Sequence, residues 1–276
     1  MAKARDNVSM KPATQDWLLS QRQKIRQPAL KPREALSIDG QVIGSIDPHL
    51  VVQLGEQALS QHGLALDCSG AVWSLKGAAE ITTRLNQLAQ LLRERGLVGA
   101  WRDEQLAVRN QSGEKIATIE RAAVRPLGIA TRAVHLVGVD RNGAIWVQQR
   151  ANDKATNPGM WDTLMGGMVS ASDELLDALA RETWEEAGLR IADLASVQHG
   201  GYVEFERPSD EAEGQGFMQE RIDWFSATVP AGLQPSNQDG EVQRFELLDP
   251  ETVEDWLVQQ RFTPEASMIL AAYLGR

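Results

Sequence analysis

A chain of 276 residues, 42% apolar, carries 28 Lys and Arg against 38 Asp and Glu for a formal charge of −10. That length and apolar content suit one large domain or two modest ones rather than a disordered chain, and the negative balance argues against nonspecific nucleic-acid binding, which needs a basic surface. Cys68 is the only cysteine, which excludes intrachain disulfides and cysteine-rich zinc sites and fits a reducing compartment, most simply the cytoplasm.

The first thirty residues hold no apolar signal-peptide core, and no later run approaches the roughly 20 apolar residues needed to span a bilayer. An opening helix is expected near Gln15 to Gln27, followed by strands at Ala35 to Ile38 and Gln41 to Ile46. Asp39 and Gly40 between those strands are hairpin chemistry. From Ala78 to Arg95, Ile81, Leu85, Leu88 and Leu92 keep a helical stripe that Gly96 ends. Two further strands, Gln105 to Arg109 and Lys115 to Glu120, precede Pro126 and Gly128, which interrupt the pattern. A domain boundary is placed here, giving a smaller α+β accessory domain, 1–126, and a second domain, 127–276.

The second domain opens with strands near Ala133 to Val139 and Ala144 to Gln149, across an Asp140 to Gly143 turn. Later strands are expected at Val197 to Phe205, Arg221 to Val229 and Val242 to Leu247, then two helices. Asp249 and Thr263 each stand as a capping residue before a proline at the first helical position. Strands enclosed by helices imply an α/β sandwich with a mixed sheet.

Residues 166–189 read GGMVSASDELLDALARETWEEAGL. At ~100° per residue, Glu185 and Glu186 fall within about 60° of Glu182, while Leu176, Ala180, Thr183 and Ala187 gather on another face. Like charges at this spacing repel by roughly 0.2–0.5 kcal/mol per pair, so a helix that crowds them is better explained if a hard, oxygen-seeking divalent cation sits there. Gly166 and Gly167 allow close approach or positive φ, Ser170 or Ser172 can cap the helix, and Gly188 supplies a left-handed stop.

This stretch resembles the Nudix box, G-x5-E-x7-R-E-U-x-E-E-x-G-U, with U a bulky apolar residue. Gly167, Arg181, Glu182, Glu185, Glu186, Gly188 and Leu189 match, while Asp173 stands for Glu and Thr183 for an aliphatic residue. The resemblance implies a Nudix α/β/α sandwich and a hydrolase of phosphoric anhydride bonds in small-molecule diphosphates, using Mg²⁺ or Mn²⁺. Glu182, Glu185 and Glu186 would be metal ligands and catalytic groups, with Glu186 and Glu182 foremost. Asp173 would pair with Arg181. A further acid from a loop beyond the box is expected at Asp239 or Glu241, which otherwise form an ordinary acidic turn; the general base stays unassigned.

Arg150 and Lys154, just before the glycine loop, are candidates for the diphosphate, the alternative being solvated loop cations. Trp161 is a candidate to stack on a substrate ring or else a core residue, and His135 reads as structural. The segments WRDEQLAVRN, ATIERAAVRPLGIATRAVHLVGV, KATNPGMWDTLMGGMVSA and NQDGEVQRFELL resemble the Nudix subfamily that shares an N-terminal domain with the Nudix half of fungal thiamine pyrophosphokinases. That implies hydrolysis of thiamine diphosphate, or its oxidised oxo and oxy forms, to the monophosphate. Nucleotide sugars and dinucleotide polyphosphates are the alternative substrates. An isopentenyl diphosphate isomerase-like enzyme would want a catalytic Cys near the box, and Cys68 lies far upstream; a silent ligand-binding regulator should have eroded carboxylates. A homodimer stays open.

Overall fold

The computed structural model describes residues 10–209 and 216–275; the first nine residues of the stretch read as lacking a signal core lie outside them. In chain order the elements are α1 (Pro12–Lys24), β1 (Glu34–Ile38), β2 (Gln41–Ile46), α2 (Pro48–Leu54), α3 (Glu56–Gln61), β3 (Leu64–Ser69), β4 (Val72–Gly77), α4 (Ile81–Glu94), β5 (Gln105–Arg109) and β6 (Lys115–Glu120). They continue with β7 (Thr131–Val139), β8 (Ile145–Arg150), β9 (Trp161–Asp162), β10 (Met165–Met168), α5 (Leu175–Ala187), β11 (Ala195–Pro208), β12 (Phe217–Thr228), β13 (Val242–Leu248), α6 (Pro250–Val258) and α7 (Pro264–Leu274).

The β1–β2 hairpin turns on Asp39 and Gly40, both at positive φ (48° and 79°), the backbone that a two-residue turn between right-twisted strands requires. Residues 47–77, which the sequence reading left blank, hold α2, α3, β3 and β4, and β4 pairs in parallel with β1 to give a four-stranded sheet ordered β2-β1-β4-β3. Helix α4 covers it with Leu85, Leu88, Ala89, Leu91 and Leu92, all buried. This first core draws on residues 36–129.

Helix α1 packs elsewhere. Its Thr14 hydroxyl donates to Glu254 (2.8 Å), the Lys11 amide donates to the same carboxylate (2.9 Å), and Trp17 and Leu18 join the core of α6 and α7. The opening helix is thus part of the C-terminal layer, not of the module that follows it.

The second sheet has seven strands. Its main path is β11-β12-β7-β8-β13, with β10 on β7 and β9 on β8. Among the described strands of this sheet only β7 and β12 run parallel to each other; the sheet is mixed, as expected. Strand β7 is apolar almost throughout because both faces are covered: Ala133, Val137 and Val139 join the core of α6 and α7, while Val134 and Leu136 join that of α5. One sheet between two helical layers is an α/β/α sandwich. Asp249 and Thr263 cap α6 and α7 by accepting from the amides of Thr252 (2.8 Å) and Ala266 (3.1 Å). No helix among the described residues is long and apolar enough to cross a membrane.

Candidate active site

The site is built where β10 runs under α5. Strand β10 has glycine at its two central positions and pairs with β7, Gly166 opposite His135 and Gly167 opposite Val134. Close approach, not positive φ, is what these glycines provide. A Cβ at Gly167 would lie 2.0 Å from the Glu182 carboxyl carbon, and one at Gly166 would lie 2.3 Å from the His135 ring. Gly188, by contrast, does take the left-handed conformation at the end of α5, with φ 62°.

Two local expectations change. The residue at the N-terminus of α5 is Glu174, whose amide donates to Asp177 (3.2 Å), while Ser170 and Ser172 bond to each other. The packing face comprises Ala178, Leu179, Thr183, Glu186 and Ala187. Leu176 and Ala180, assigned to that face, are exposed, Leu176 to 63%, although Leu176 points only about 60° from Leu179; it stands in the first turn of the helix.

The three glutamates therefore stand in different surroundings. Glu186 is 3% exposed and points to the sheet, accepting from the Gly166 amide (2.9 Å) and from the Gln148 side-chain amide (2.8 Å). Burial pushes its carboxyl up to about 8; the Gly166 bond opposes this and the charge of Glu182 adds to it. Glu182 is pushed up to about 7, again by burial first, against the pull of Arg181. Glu185 is more open. Arg181 ties the cluster together: it grips Asp173 through two nitrogens (2.9 and 2.8 Å) and reaches Glu182 (2.9 Å) and Glu185 (3.0 Å) with a third. The Asp173–Arg181 pair is as expected, but Arg181 also holds Glu182 and Glu185. Among the described residues no three acidic or metal-binding side chains stand gathered around one point.

The donor chemistry nevertheless fits a hard divalent cation. Two carboxylates are largely taken out of water in one cleft, and among the described residues Glu186 has no cationic partner of its own. An ion between them would supply the charge that burial has made costly to leave unmatched.

That cleft measures about 340 Å³ and brings the box residues Gly167, Arg181, Glu182, Glu185 and Glu186 together with Arg150, Lys154, Asp239 and Glu241. Asp173 lies behind it, acting through Arg181. Arg150 donates to the Thr156 carbonyl (3.1 Å) and stands 3.7 Å from Asp162. Lys154 pairs with Glu241, and Asp239 accepts from the Glu241 amide (2.8 Å). The two cations face the cleft with their charges already matched.

Trp161 is a correction. It is 3% exposed and absent from the cleft wall, packed in the core against Trp256 at 4.9 Å between ring centroids. Strand β9 pairs there with β8 and bridges to Phe262, so the indole faces α6 and cannot stack on a cleft ligand.

Several cleft residues escaped the sequence reading. Arg102, Glu104, Arg121 and Arg125 reach the same cleft from the segment before β7. Glu104 and Arg121 form an ion pair (2.7 Å), and Arg125 pairs with buried Glu220 (2.7 Å). The charge of Glu104 is felt by Glu182, and that of Arg121 by both Glu220 and Glu241. From the other side come His135, Asp162, Arg207 and Glu265. His135 bonds the Thr163 hydroxyl (2.9 Å), and burial lowers its pKa, so it is a neutral wall residue. The signal for Arg121 and Arg125 lay in ATIERAAVRP, where the turn was read but the charges were not.

A NUDIX domain model matches residues 130–269, the stretch that holds the whole sandwich sheet and the glycine–glutamate cassette. The chain belongs to the NUDIX family. A domain of unknown function, DUF4743, matches residues 18–131. Among Nudix relatives, the chain is 27% identical over 255 residues to Nudix hydrolase 20, chloroplastic, of Arabidopsis thaliana, covering 87% of this chain and 66% of that one. It is also 27% identical over 205 residues to Nudix hydrolase 24, chloroplastic, of the same plant, covering 71% and 54%. The chain thus spans between about half and two thirds of the length of these plant relatives. An uncharacterized Nudix hydrolase of Pseudomonas aeruginosa is 30% identical over 178 residues, which cover 63% of this chain and 92% of that protein. Among solved structures, DR0079 from Deinococcus radiodurans superposes with a TM-score of 0.50 at 20% identity, over 63% of this chain and all of the other. The Nudix fold is shared across that distance.

Proposed function

We propose that this Nudix chain is a divalent-metal-dependent hydrolase of organic diphosphates, favouring thiamine diphosphate or its oxidised oxo and oxy forms. In the reaction, water adds to one phosphorus, the bridging P–O bond breaks, and a monophosphate and inorganic phosphate leave. The observation that carries the reading is the pair of water-excluded carboxylates, Glu182 and Glu186, facing one cleft beside the glycines of β10. Glu182 and Glu186 would hold Mg²⁺, or Mn²⁺ in its place, with Glu185 and the loop acids Asp239 or Glu241 next in order. When bound, the ion supplies Lewis acidity that draws charge off the phosphate oxygens.

The chain's own residues provide the rest. Arg181 anchors the box to Asp173. Arg150, Lys154 and Arg121 put positive charge around the cleft for phosphate oxygens. Gln148 and the Gly166 amide fix the Glu186 carboxylate by two hydrogen bonds. The accessory module, bounded at 126, comprises the residues from β1 onward, and α1 packs with the catalytic domain 127–276, which works in the cytoplasm. The thiamine preference is supported by the flanking segments quoted above and by a cleft with room for an organic group beyond the phosphates. The test is a panel of diphosphates incubated with Mg²⁺: thiamine diphosphate, its oxo and oxy forms, nucleotide sugars and dinucleotide polyphosphates. Fastest release from a thiamine-type diphosphate is expected; turnover confined to nucleotide substrates overturns the preference, and no turnover of any member overturns the activity.

A further inference from the structure

Of the cleft acids that the hydrolytic machinery does not use, Glu265 stands apart. Glu265 sits in the first turn of α7, after Thr263 has capped the helix and Pro264 has started it, and it is one of the residues that line the cleft. The other acids on that side are satisfied. Glu220 holds Arg125 (2.7 Å) and the Thr131 hydroxyl (2.7 Å), and Asp162 accepts from the Thr163 amide (2.8 Å) and the Thr263 hydroxyl (3.2 Å). Among the described residues, Glu265 has no hydrogen bond or ion pair to another residue. It is half-buried, and the charges of Glu220 and Asp162 work against its own, with only Arg207 in its favour. Apolar Met218 and Ala133 also line the cleft.

A carboxylate so placed is costly in the empty protein, since burial first, and then its acidic neighbours, push it up to about 7. A ligand that brings a positive charge removes that cost at one stroke. We propose that Glu265 is a specificity-determining residue that receives a cationic nitrogen heterocycle, the organic end of a diphosphate whose phosphates lie at the box. The inference rests on the diphosphate-hydrolase reading and extends it: α7 reads the permanent positive charge of a thiazolium, which thiamine diphosphate and its oxy form carry and the neutral ring of the oxo form lacks, while α5 serves the phosphates. Neutral organic diphosphates would leave Glu265 unmatched and be discriminated against for that reason.

A structural role is the rival account, because a carboxylate in the first turn of a helix is favoured by the macrodipole. The two accounts diverge in Glu265→Gln. The experiment is calorimetric titration of the full chain with thiamine, which has the cationic ring and no phosphate, alongside steady-state kinetics on thiamine diphosphate with Mg²⁺ and thermal melting of both proteins. The expected result is thiamine binding at least tenfold weaker in Glu265→Gln, a KM for thiamine diphosphate raised to a similar extent with a much smaller change in kcat, and a melting temperature at or above wild type. Equal thiamine affinity in the two proteins, no thiamine binding by wild type, or a lowered melting temperature with unchanged KM would each overturn the proposal. Thiamine binding that depends on Glu265 without hydrolysis of any diphosphate would sink the hydrolase reading and keep the cation subsite. Hydrolysis with a KM indifferent to Glu265 would do the reverse.

Discussion

Glu186→Gln separates the cost of an empty site from its use. The carboxyl of Glu186 sits at about 8 in the fold against an ordinary 4.5. A folded pKa above the unfolded one is a penalty on stability, absent below pH 4.5 and growing as the pH rises toward 8, and at pH 7 it amounts to roughly 3 kcal/mol. Glutamine removes the charge while its carbonyl oxygen can still accept from the Gly166 amide and from Gln148. In EDTA at pH 7 the variant should therefore be the more stable protein, by up to about 3 kcal/mol, which is several degrees in Tm for a chain of this size. Wild type should gain stability on going from pH 8 toward pH 5, and the variant should show a flatter profile. Adding Mg²⁺ should stabilise wild type by mass action and leave the variant nearly unmoved. Urea unfolding, with and without the ion, reads all of this. A variant less stable than wild type in EDTA, or equal stabilisation of both by Mg²⁺, would refute the reasoning.

Three other perturbations report on neighbouring parts. Arg181→Ala frees Asp173, Glu182 and Glu185 at once and should cost about 1–2 kcal/mol, discounted because the guanidinium is one-third exposed; unchanged melting and unchanged turnover would make the cluster unimportant. Gly167→Ala puts a methyl group into the Glu182 carboxylate and should reduce turnover by an order of magnitude or more, as measured by phosphate release. Asp223 is buried under Arg221, Arg132 and His199; burial alone would raise its pKa, but their hydrogen bonds bring it down to about 2. A depressed acid stabilises above its unfolded pKa near 3.8 and loses that contribution as the pH falls toward 2, here about 2 kcal/mol. Acid unfolding of Asp223→Asn should lack that step, and a profile matching wild type would count against the assignment.

What the sequence disclosed follows from how local each signal is. The hairpin at Asp39–Gly40, the caps at Asp249 and Thr263 and the stop at Gly188 are set within a few residues, and each stands where expected. The Asp173–Arg181 pair was legible through the resemblance to the Nudix box and not through helical spacing, because Asp173 stands before α5 begins. Strand β10 was missed because Gly166 and Gly167 have no strand propensity of their own; they pair with β7 because only glycine lets the chain pass beneath Glu182 and His135. The parallel pairing of β1 with β4 joins segments more than thirty residues apart, which no local pattern announces. Trp161 looked available for stacking until β9 turned it toward Trp256. The same limit hid Glu104, Arg121 and Glu265, whose part in the cleft exists only once the segment before β7 and the start of α7 are brought to the box.

The position of the divalent ion decides whether Glu182 and Glu186 are its ligands. Crystals soaked in Mn²⁺ and measured for anomalous scattering should show a peak between the Glu182 and Glu186 carboxylates, with Glu182 released from Arg181 and Arg181 still bound to Asp173. No peak at that position, with Arg181 still holding Glu182 at saturating Mn²⁺, would contradict the claim that these two carboxylates are the metal site.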